Sequence, residues 1–151
     1  MLRERLSAAL KEAMKSKAKV RLSTLRLIMA AVKEQDIAAH AQDRCDGVTD
    51  EEILAVLSKM VKQREESAKT YEEGGRVEMA ETERAEIEVI REFMPRQLSE
   101  AEIEHAVQDV VKDLEATNLK DMGKCMASLK AKYSGAMDFA QAGAMVKKAL
   151  N

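Results

Sequence analysis

Six lysines near the end of the sequence are the residues with the clearest potential for binding chemistry. They lie between residues 120 and 151, where only two acidic residues occur. Clustered ammonium groups bind phosphates because each neutralised phosphate releases counterions. The sequence therefore predicts a phosphate-binding face if the last two helices are adjacent, although six lysines are also typical of an ordinary solvated surface. The six are Lys120, Lys124, Lys130, Lys132, Lys147 and Lys148. Lys112, on the preceding predicted helix, is expected to lie outside this cluster.

A second set of charged residues lies in the middle of the sequence. Arg64 falls on the apolar stripe of one predicted helix, and Glu83 and Glu86 fall within one turn of the facing position on the next. A charge on a core seam needs a partner, because an unpaired buried charge costs several kcal/mol. We interpret the set as a structural ion pair between Arg64 and Glu83 or Glu86. A charged cleft that binds an acidic or basic group is the alternative.

Motifs for catalysis or metal binding are missing from the sequence. It contains no Gly-rich phosphate loop, no G-x-S-x-G element and no pair of histidines at ligand spacing. His40 and His105 are expected on solvated helix faces. Cys125 is expected to be a small buried side chain, and a thiol of lowered pKa early in a helix is the alternative. We therefore expect no catalytic residue, no metal and no cofactor.

The elements that must position these residues are helices. Aromatic residues make up 3% of the chain and charged residues 34%, and strong helix formers dominate the remainder. Such a composition predicts an all-α protein and excludes a β-sandwich or an α/β barrel. The net charge of −2 gives no overall attraction to nucleic acid or anionic lipid.

The hydrophobic periodicity divides the chain at Pro95. Residues 1–95 predict an assembly of helical hairpins, in which Val20 and Leu27 belong to the apolar stripe of the second helix. Residues 96–151 predict a compact unit of three helices. Thr49 and Ser99, each followed by Glu at the third position, predict two helix starts of the capping-box type.

The cysteines and the apolar runs indicate the compartment. Cys45 and Cys125 are far apart and belong to no ligand motif, which is typical of a reducing compartment. The longest apolar run, residues 27–32, is too short to span a bilayer. We expect a cytoplasmic protein without a membrane segment.

Several blocks of this sequence resemble the YqeY family of small bacterial proteins, over nearly the whole chain. The most specific are Lys62-Gln63-Arg64 and Met94-Pro95-Arg96-Gln97-Leu98. The region 98–151, with its Met122-Gly123-Lys124-Cys125-Met126 segment, is similar to the helical tail domain of the GatB subunit of Asn/Gln-tRNA amidotransferase. That resemblance implies a three-helix module that helps to hold tRNA. Nothing in the sequence resembles the catalytic domains of that enzyme.

Three functions therefore stay open. The first is a non-catalytic accessory protein whose C-terminal module contacts tRNA. The second is a protein–protein adaptor that uses the acidic residues of segment 65–92 or the methionine-containing seam between the domains. The third is a component of a glutamine-dependent tRNA amidotransferase, a carbon–nitrogen ligase that is active only with other subunits. The expected partners are tRNA and amidotransferase or aminoacyl-tRNA synthetase proteins.

Overall fold

The computed structural model describes all 151 residues, and the prediction of an all-α fold is confirmed. Seven α-helices and one short 3₁₀ helix follow one another without a β-strand. The helices are α1 Leu2–Ser16, α2 Lys19–His40, α3 Asp50–Glu73, α4 Val77–Arg91, α5 Glu100–Asp113, α6 Met122–Lys132 and α7 Phe139–Leu150, with the 3₁₀ helix over Leu119–Asp121 before α6.

Short-range signals set where these helices begin. Ser99 accepts from the backbone N–H of Glu102, and the Glu102 side chain accepts from the N–H of Ser99, so the predicted capping box is complete. Thr49 also accepts from the N–H of Glu52. The Glu52 carboxylate is held by Arg44 and the Thr49 hydroxyl. The ion pair between Glu52 and Arg44 connects the preceding loop to the start of α3.

The chain forms two compact units, Met1–Pro95 and Arg96–Asn151. In the first unit, α3 and α4 form a hairpin that turns at Gly74 and Gly75, and α1 and α2 pack against it. The centre of its core consists of fully buried aliphatic side chains, namely Leu6, Leu25, Ile28, Ile53, Leu57 and Ile90.

The outer face of α2 differs from the sequence expectation. Val20 and Leu27 were expected in the core, but they are 43% and 49% exposed. The residues that α2 buries are on the opposite side, among them Leu25, Ile28 and Val32. The helix has apolar residues on two faces, so periodicity alone cannot decide which face packs inward.

Hydrogen bonds among Arg3, Asp36 and Val48 join α1, α2 and the loop before α3. We name these three residues the polar lock. The Arg3 guanidinium donates to both carboxylate oxygens of Asp36, at 2.7 and 2.9 Å, and to the carbonyl of Val48 at 3.1 Å. Asp36 in turn accepts from the N–H of Val48 at 2.9 Å. These hydrogen bonds, first from Arg3 and then from Val48, lower the pKa of Asp36 to about 2. Gly47 lies against this lock with φ 77°, and a side chain there would collide with Asp36.

The second unit is a three-helix bundle, and its turns fix the direction of each helix. The connection from α6 to α7 is tight, since the N–H of Ala136 donates to the carbonyl of Tyr133 at 2.9 Å. Gly143 of α7 lies against the side chains of Met122 and Met126 in α6. Both observations make α7 run back along α6.

The start of α5 lies beside the same turn. The N–H of Leu98 donates to the carbonyl of Ala136 at 2.8 Å, and the Gln97 amide donates to the carbonyl of Gly135 at 2.7 Å. Since α5 packs on both α6 and α7, its C-terminal end lies at the other end of the bundle. The N-terminus of α6 and the C-terminus of α7 lie there too.

Candidate functional site

All six lysines of the predicted cluster are exposed, and none forms an ion pair. Lys120 belongs to the 3₁₀ helix, Lys124, Lys130 and Lys132 to α6, and Lys147 and Lys148 to the last turn of α7. The α6 and α7 helices pack against each other, as the prediction required. The ammonium groups are therefore free to meet an anion from solvent.

The helix directions divide the six lysines between the two ends of the bundle. Lys120 and Lys124 precede or begin α6, while Lys147 and Lys148 end the antiparallel α7, so these four share one end. Lys130 and Lys132 are in the last turn of α6, beside the turn to α7. With about 100° of rotation per residue, Lys130 and Lys132 also point to nearly opposite sides of α6. The structure thus brings four of the six lysines together.

The same helix directions place the last turn of α5, with Lys112, at this end of the bundle, whereas the sequence expectation put Lys112 outside the cluster. It is in the last turn of α5, and the C-terminal end of α5 lies with the start of α6. We name this group the lysine end: Lys112, Lys120, Lys124, Lys147 and Lys148. Three carboxylates belong to the same connection and moderate its positive charge, those of Asp113, Glu115 and Asp121.

Helix electrostatics explain part of this arrangement. Lys112, Lys147 and Lys148 lie in last turns, where the backbone carbonyls present a partial negative charge. A cation there stabilises its helix by about 0.3–1 kcal/mol. The same position leaves the ammonium group at the tip of the bundle, so a helix-stabilising role and an anion-binding role are compatible.

The charged set in the first unit is a buried ion pair with a second carboxylate beside it. Nε of Arg64 lies 2.8 Å from Oε2 of Glu86, with the two side chains 14% and 19% exposed. Arg64 also donates to the carbonyl of Met60 at 3.3 Å. Burial, and secondly the charge of Glu86, raise the pKa of Glu83, against the opposing effect of Arg64. Arg64 therefore pairs with Glu86, whereas Glu83 lies near the pair without an ion pair to Arg64.

The remaining candidate residues have less scope for chemistry. Cys125 is fully buried, and burial followed by the charge of Asp121 raises the pKa of its thiol. This corrects the alternative of a lowered thiol pKa, because the start of α6 faces the bundle core. His40 and His105 are exposed, as expected. A shallow depression of about 410 Å³ along α3 is lined by Gln63, Glu66, Ser67, Thr70 and Tyr71.

The structure contains neither a candidate metal site nor a candidate membrane helix. No three His, Cys, Asp or Glu side chains lie together in a group that could hold a metal ion. None of the seven α-helices combines the length and the apolar character that crossing a membrane requires.

The fold and these residues can now be compared with known proteins. The sequence matches the model of the Yqey-like protein family over residues 3–150. The chain therefore belongs to the YqeY family, as the sequence blocks around Arg64 and Pro95 indicated.

Curated relatives are found among fungal proteins. The chain is 36% identical over 89 residues to Altered inheritance of mitochondria protein 41, mitochondrial, of Clavispora lusitaniae, covering 59% of this chain and 49% of that protein. It is 32% identical over 126 residues to the protein of the same name from Lachancea thermotolerans, covering 79% and 65%. The match thus spans between half and two thirds of these relatives. Both are fungal and mitochondrial by name, whereas the sequence resemblance predicted bacterial ones.

Proposed function

We propose that this protein is a non-catalytic accessory protein that binds tRNA through the lysine end of its second unit. The observation that supports the proposal most is the group of exposed lysines without carboxylate partners at one end of a three-helix bundle. Such ammonium groups bind a phosphate backbone by counterion release. The resemblance of this unit to the GatB tail makes tRNA the expected polyanion.

The chemistry of the site favours positioning over base recognition. Lysine is a point charge that meets phosphate oxygens without reading base edges. Tyr133 and Phe139, the two aromatic residues of the unit, are partly buried against its core, so they offer no open ring for base stacking. Binding is therefore expected to be electrostatic and nearly independent of tRNA sequence.

The proposed compartment contains tRNA and keeps thiols reduced, as the cytoplasm does. Cys45 and Cys125 are both free thiols, which supports a reducing environment. The mitochondrial names of the fungal relatives make an organelle that contains tRNA the alternative.

Salt dependence of tRNA binding by the full chain tests the proposal. A fluorescently labelled tRNA pool is titrated with protein at several salt concentrations between about 50 and 200 mM. For three to five phosphate contacts, log affinity should fall with log salt at a slope of about −2 to −4. No measurable binding at the lowest salt, or affinity independent of salt, would contradict the proposal.

A glutaminase assay of the same protein separates the accessory role from the amidotransferase alternative. The purified chain should release no ammonia from glutamine above the buffer background, with or without tRNA. Turnover that a single substitution in this chain abolishes would favour a catalytic component instead.

A further inference from the structure

The outer face of α2 has a repeating pattern that the fold leaves without a partner. Exposed apolar side chains recur at Val20, Leu27 and Ile37, which are 43%, 49% and 62% exposed. The small residues Ser23 and Ala30 lie between them on the same face. We name these five residues the α2 stripe. It runs along most of a 22-residue helix.

The spacing of the α2 stripe is the heptad spacing of a helix-packing seam. Val20 and Leu27 are seven residues apart, and so are Ser23, Ala30 and Ile37 in turn. Alternating steps of three and four residues form the a and d positions at which one helix packs along another. Leu25, Val32 and Ala39 fill the opposite positions and are buried in the unit's own core. The helix can therefore keep its own packing while its outer seam receives a second helix.

A row of basic residues borders one side of this seam. Lys19, Arg26, Lys33 and His40 follow each other at intervals of seven residues, and all are exposed. Lys19, Arg26 and Lys33 form no ion pair in the fold, whereas His40 interacts electrostatically with Asp36. On the other border are Thr24, Ala31 and Ala38, which carry no charge; Thr24 is fully buried and Ala31 is partly buried, so this side of the seam adjoins the core of the unit. In a packed helix pair these bordering rows meet the charged residues of the partner and select it.

The charge pattern decides between the possible occupants. In an antiparallel pair of two α2 helices, the basic rows would face each other and repel, and in a parallel pair each basic row would face the uncharged row of the other helix. Neither arrangement supplies the basic row with carboxylates. Glu34 interrupts the apolar seam at its third a position, between Leu27 and Ile37, so a continuous apolar layer of lipid is disfavoured, whereas a partner helix can place a polar residue opposite this carboxylate. An amphipathic helix with acidic residues beside its apolar side can pack on the seam and form ion pairs with the basic row.

We propose that the α2 stripe is a docking site for an amphipathic α-helix of a partner protein with acidic residues beside its apolar seam. This surface belongs to the first unit and is independent of the lysine end. It gives the protein a protein-binding function in addition to the proposed binding of tRNA.

Synthetic helical peptides of three heptads test the proposal with the full chain. All have Leu at a and d except for one Gln at the position that faces Glu34, and they carry Glu, Gln or Lys at the bordering positions. The Glu peptide should bind, and the Gln peptide should bind about tenfold more weakly since three charge pairs are lost. The Lys peptide should not bind measurably. Equal binding of the Glu and Lys peptides would overturn the proposal.

Charge reversal on the protein gives the matched control. Combining Lys19→Glu, Arg26→Glu and Lys33→Glu should abolish binding of the Glu peptide and create binding of the Lys peptide. Lys11→Glu, Lys59→Glu and Lys69→Glu together change the net charge equally at exposed positions away from the stripe, and should leave the peptide preference unchanged. If both triple variants lose the Glu peptide alike, the attraction is general and the site does not exist.

The apolar seam and the other occupants are tested separately. Leu27→Gln should weaken the Glu peptide about tenfold without unfolding the protein, because Leu27 is half exposed. Sedimentation of the unmodified chain should show no self-association that Leu27→Gln removes. Vesicles with about a third anionic phosphatidylglycerol should not bind through the stripe. Self-association or vesicle binding that Leu27→Gln abolishes would assign the stripe to a second copy or to lipid, and would overturn the proposal.

Discussion

The arginines of the first unit and the lysines of the second unit use positive charge in different ways. The first unit contains nine of the ten arginines, and six of them form ion pairs with carboxylates that join helices or close loops. In the second unit seven of the eight Lys and Arg residues are lysines, and none of these seven forms an ion pair. Its one arginine, Arg96, pairs with Glu102.

The contrast follows from the chemistry of the two side chains. A guanidinium presents a rigid fork that holds a carboxylate by two hydrogen bonds, as Arg3 holds Asp36. An ammonium group is strongly hydrated and stays in solvent on a flexible chain. The arginine charge of the first unit is thus mainly structural, whereas the lysine charge of the second unit remains available to ligands. Arg26, in the basic row beside the α2 stripe, is one of the three arginines of the first unit that form no ion pair.

The largest effect is expected from Arg64. Arg64→Leu should destabilise the protein by about 3–5 kcal/mol, because it leaves the buried Glu86 carboxylate without its partner. Adding Glu86→Leu should restore most of the loss, and adding Glu83→Leu should restore less. Urea denaturation measures all three variants.

A matched control for Arg64 is available on the same hairpin. Arg91 pairs with Glu65 at 2.7 Å, but the two side chains are about half exposed. Arg91→Leu should therefore change stability by less than about 1 kcal/mol. An Arg64→Leu variant as stable as Arg91→Leu would show that the central pair is not structural, and the charged cleft would regain support.

Substitutions of two glycines with the same backbone conformation measure how much the polar lock contributes to stability. Gly47 and Gly75 both have φ 77°, but only Gly47 has a neighbour that a side chain would meet. Gly75→Ala should cost about 1 kcal/mol from the left-handed backbone alone. Gly47→Ala should cost about 2–3 kcal/mol, because the added Cβ also displaces Asp36 from Arg3 and Val48. Equal thermal midpoints of Gly47→Ala and Gly75→Ala would mean that displacing Asp36 from Arg3 and Val48 does not lower the stability of the protein.

The lock also predicts a pH dependence. The pKa of Asp36 is about 2 in the fold and about 3.9 in an unfolded chain. The contribution of the Asp36 carboxylate to the free energy of unfolding is therefore present above about pH 4 and is lost as the pH falls toward 2. We expect a loss of about 1–2 kcal/mol over this range, less than the full shift implies because Arg3 is 36% exposed. Asp36→Asn should reduce this part of the pH dependence, and an identical acid profile for both proteins would contradict the assignment.

The sequence predicts the local features of this fold well. Capping signals at Thr49 and Ser99 and the break at Gly74-Gly75 place the helices, since each acts over a few residues. The facing register of α3 and α4 leads from Arg64 to Glu83 or Glu86, because a hairpin with a short turn leaves little freedom, and the structure pairs Arg64 with Glu86. Both predictions depend on contacts within a helix or across one turn.

Features that depend on tertiary arrangement could not be predicted. The lysine end requires the direction of three helices, which the hydrogen bonds around Ala136 determine. The lock between Arg3 and Asp36 joins residues 33 positions apart, and no local pattern marks it. Of the residues expected on the apolar side of α2, Thr24 and Ile28 are buried but Val20 and Leu27 are exposed, although the heptad row of Lys19, Arg26 and Lys33 beside them was a usable signal of an exposed seam.

The most direct measurement of the central claim compares the two ends of the second unit in tRNA binding by the full chain. Lys124→Gln with Lys148→Gln removes two charges from the lysine end, and Lys130→Gln with Lys132→Gln removes two charges at the opposite end. The first pair should weaken binding about tenfold or more and flatten the salt slope by up to about two units, whereas the second should change little. Equal losses from the two pairs, or a larger loss from Lys130→Gln with Lys132→Gln, would contradict the account.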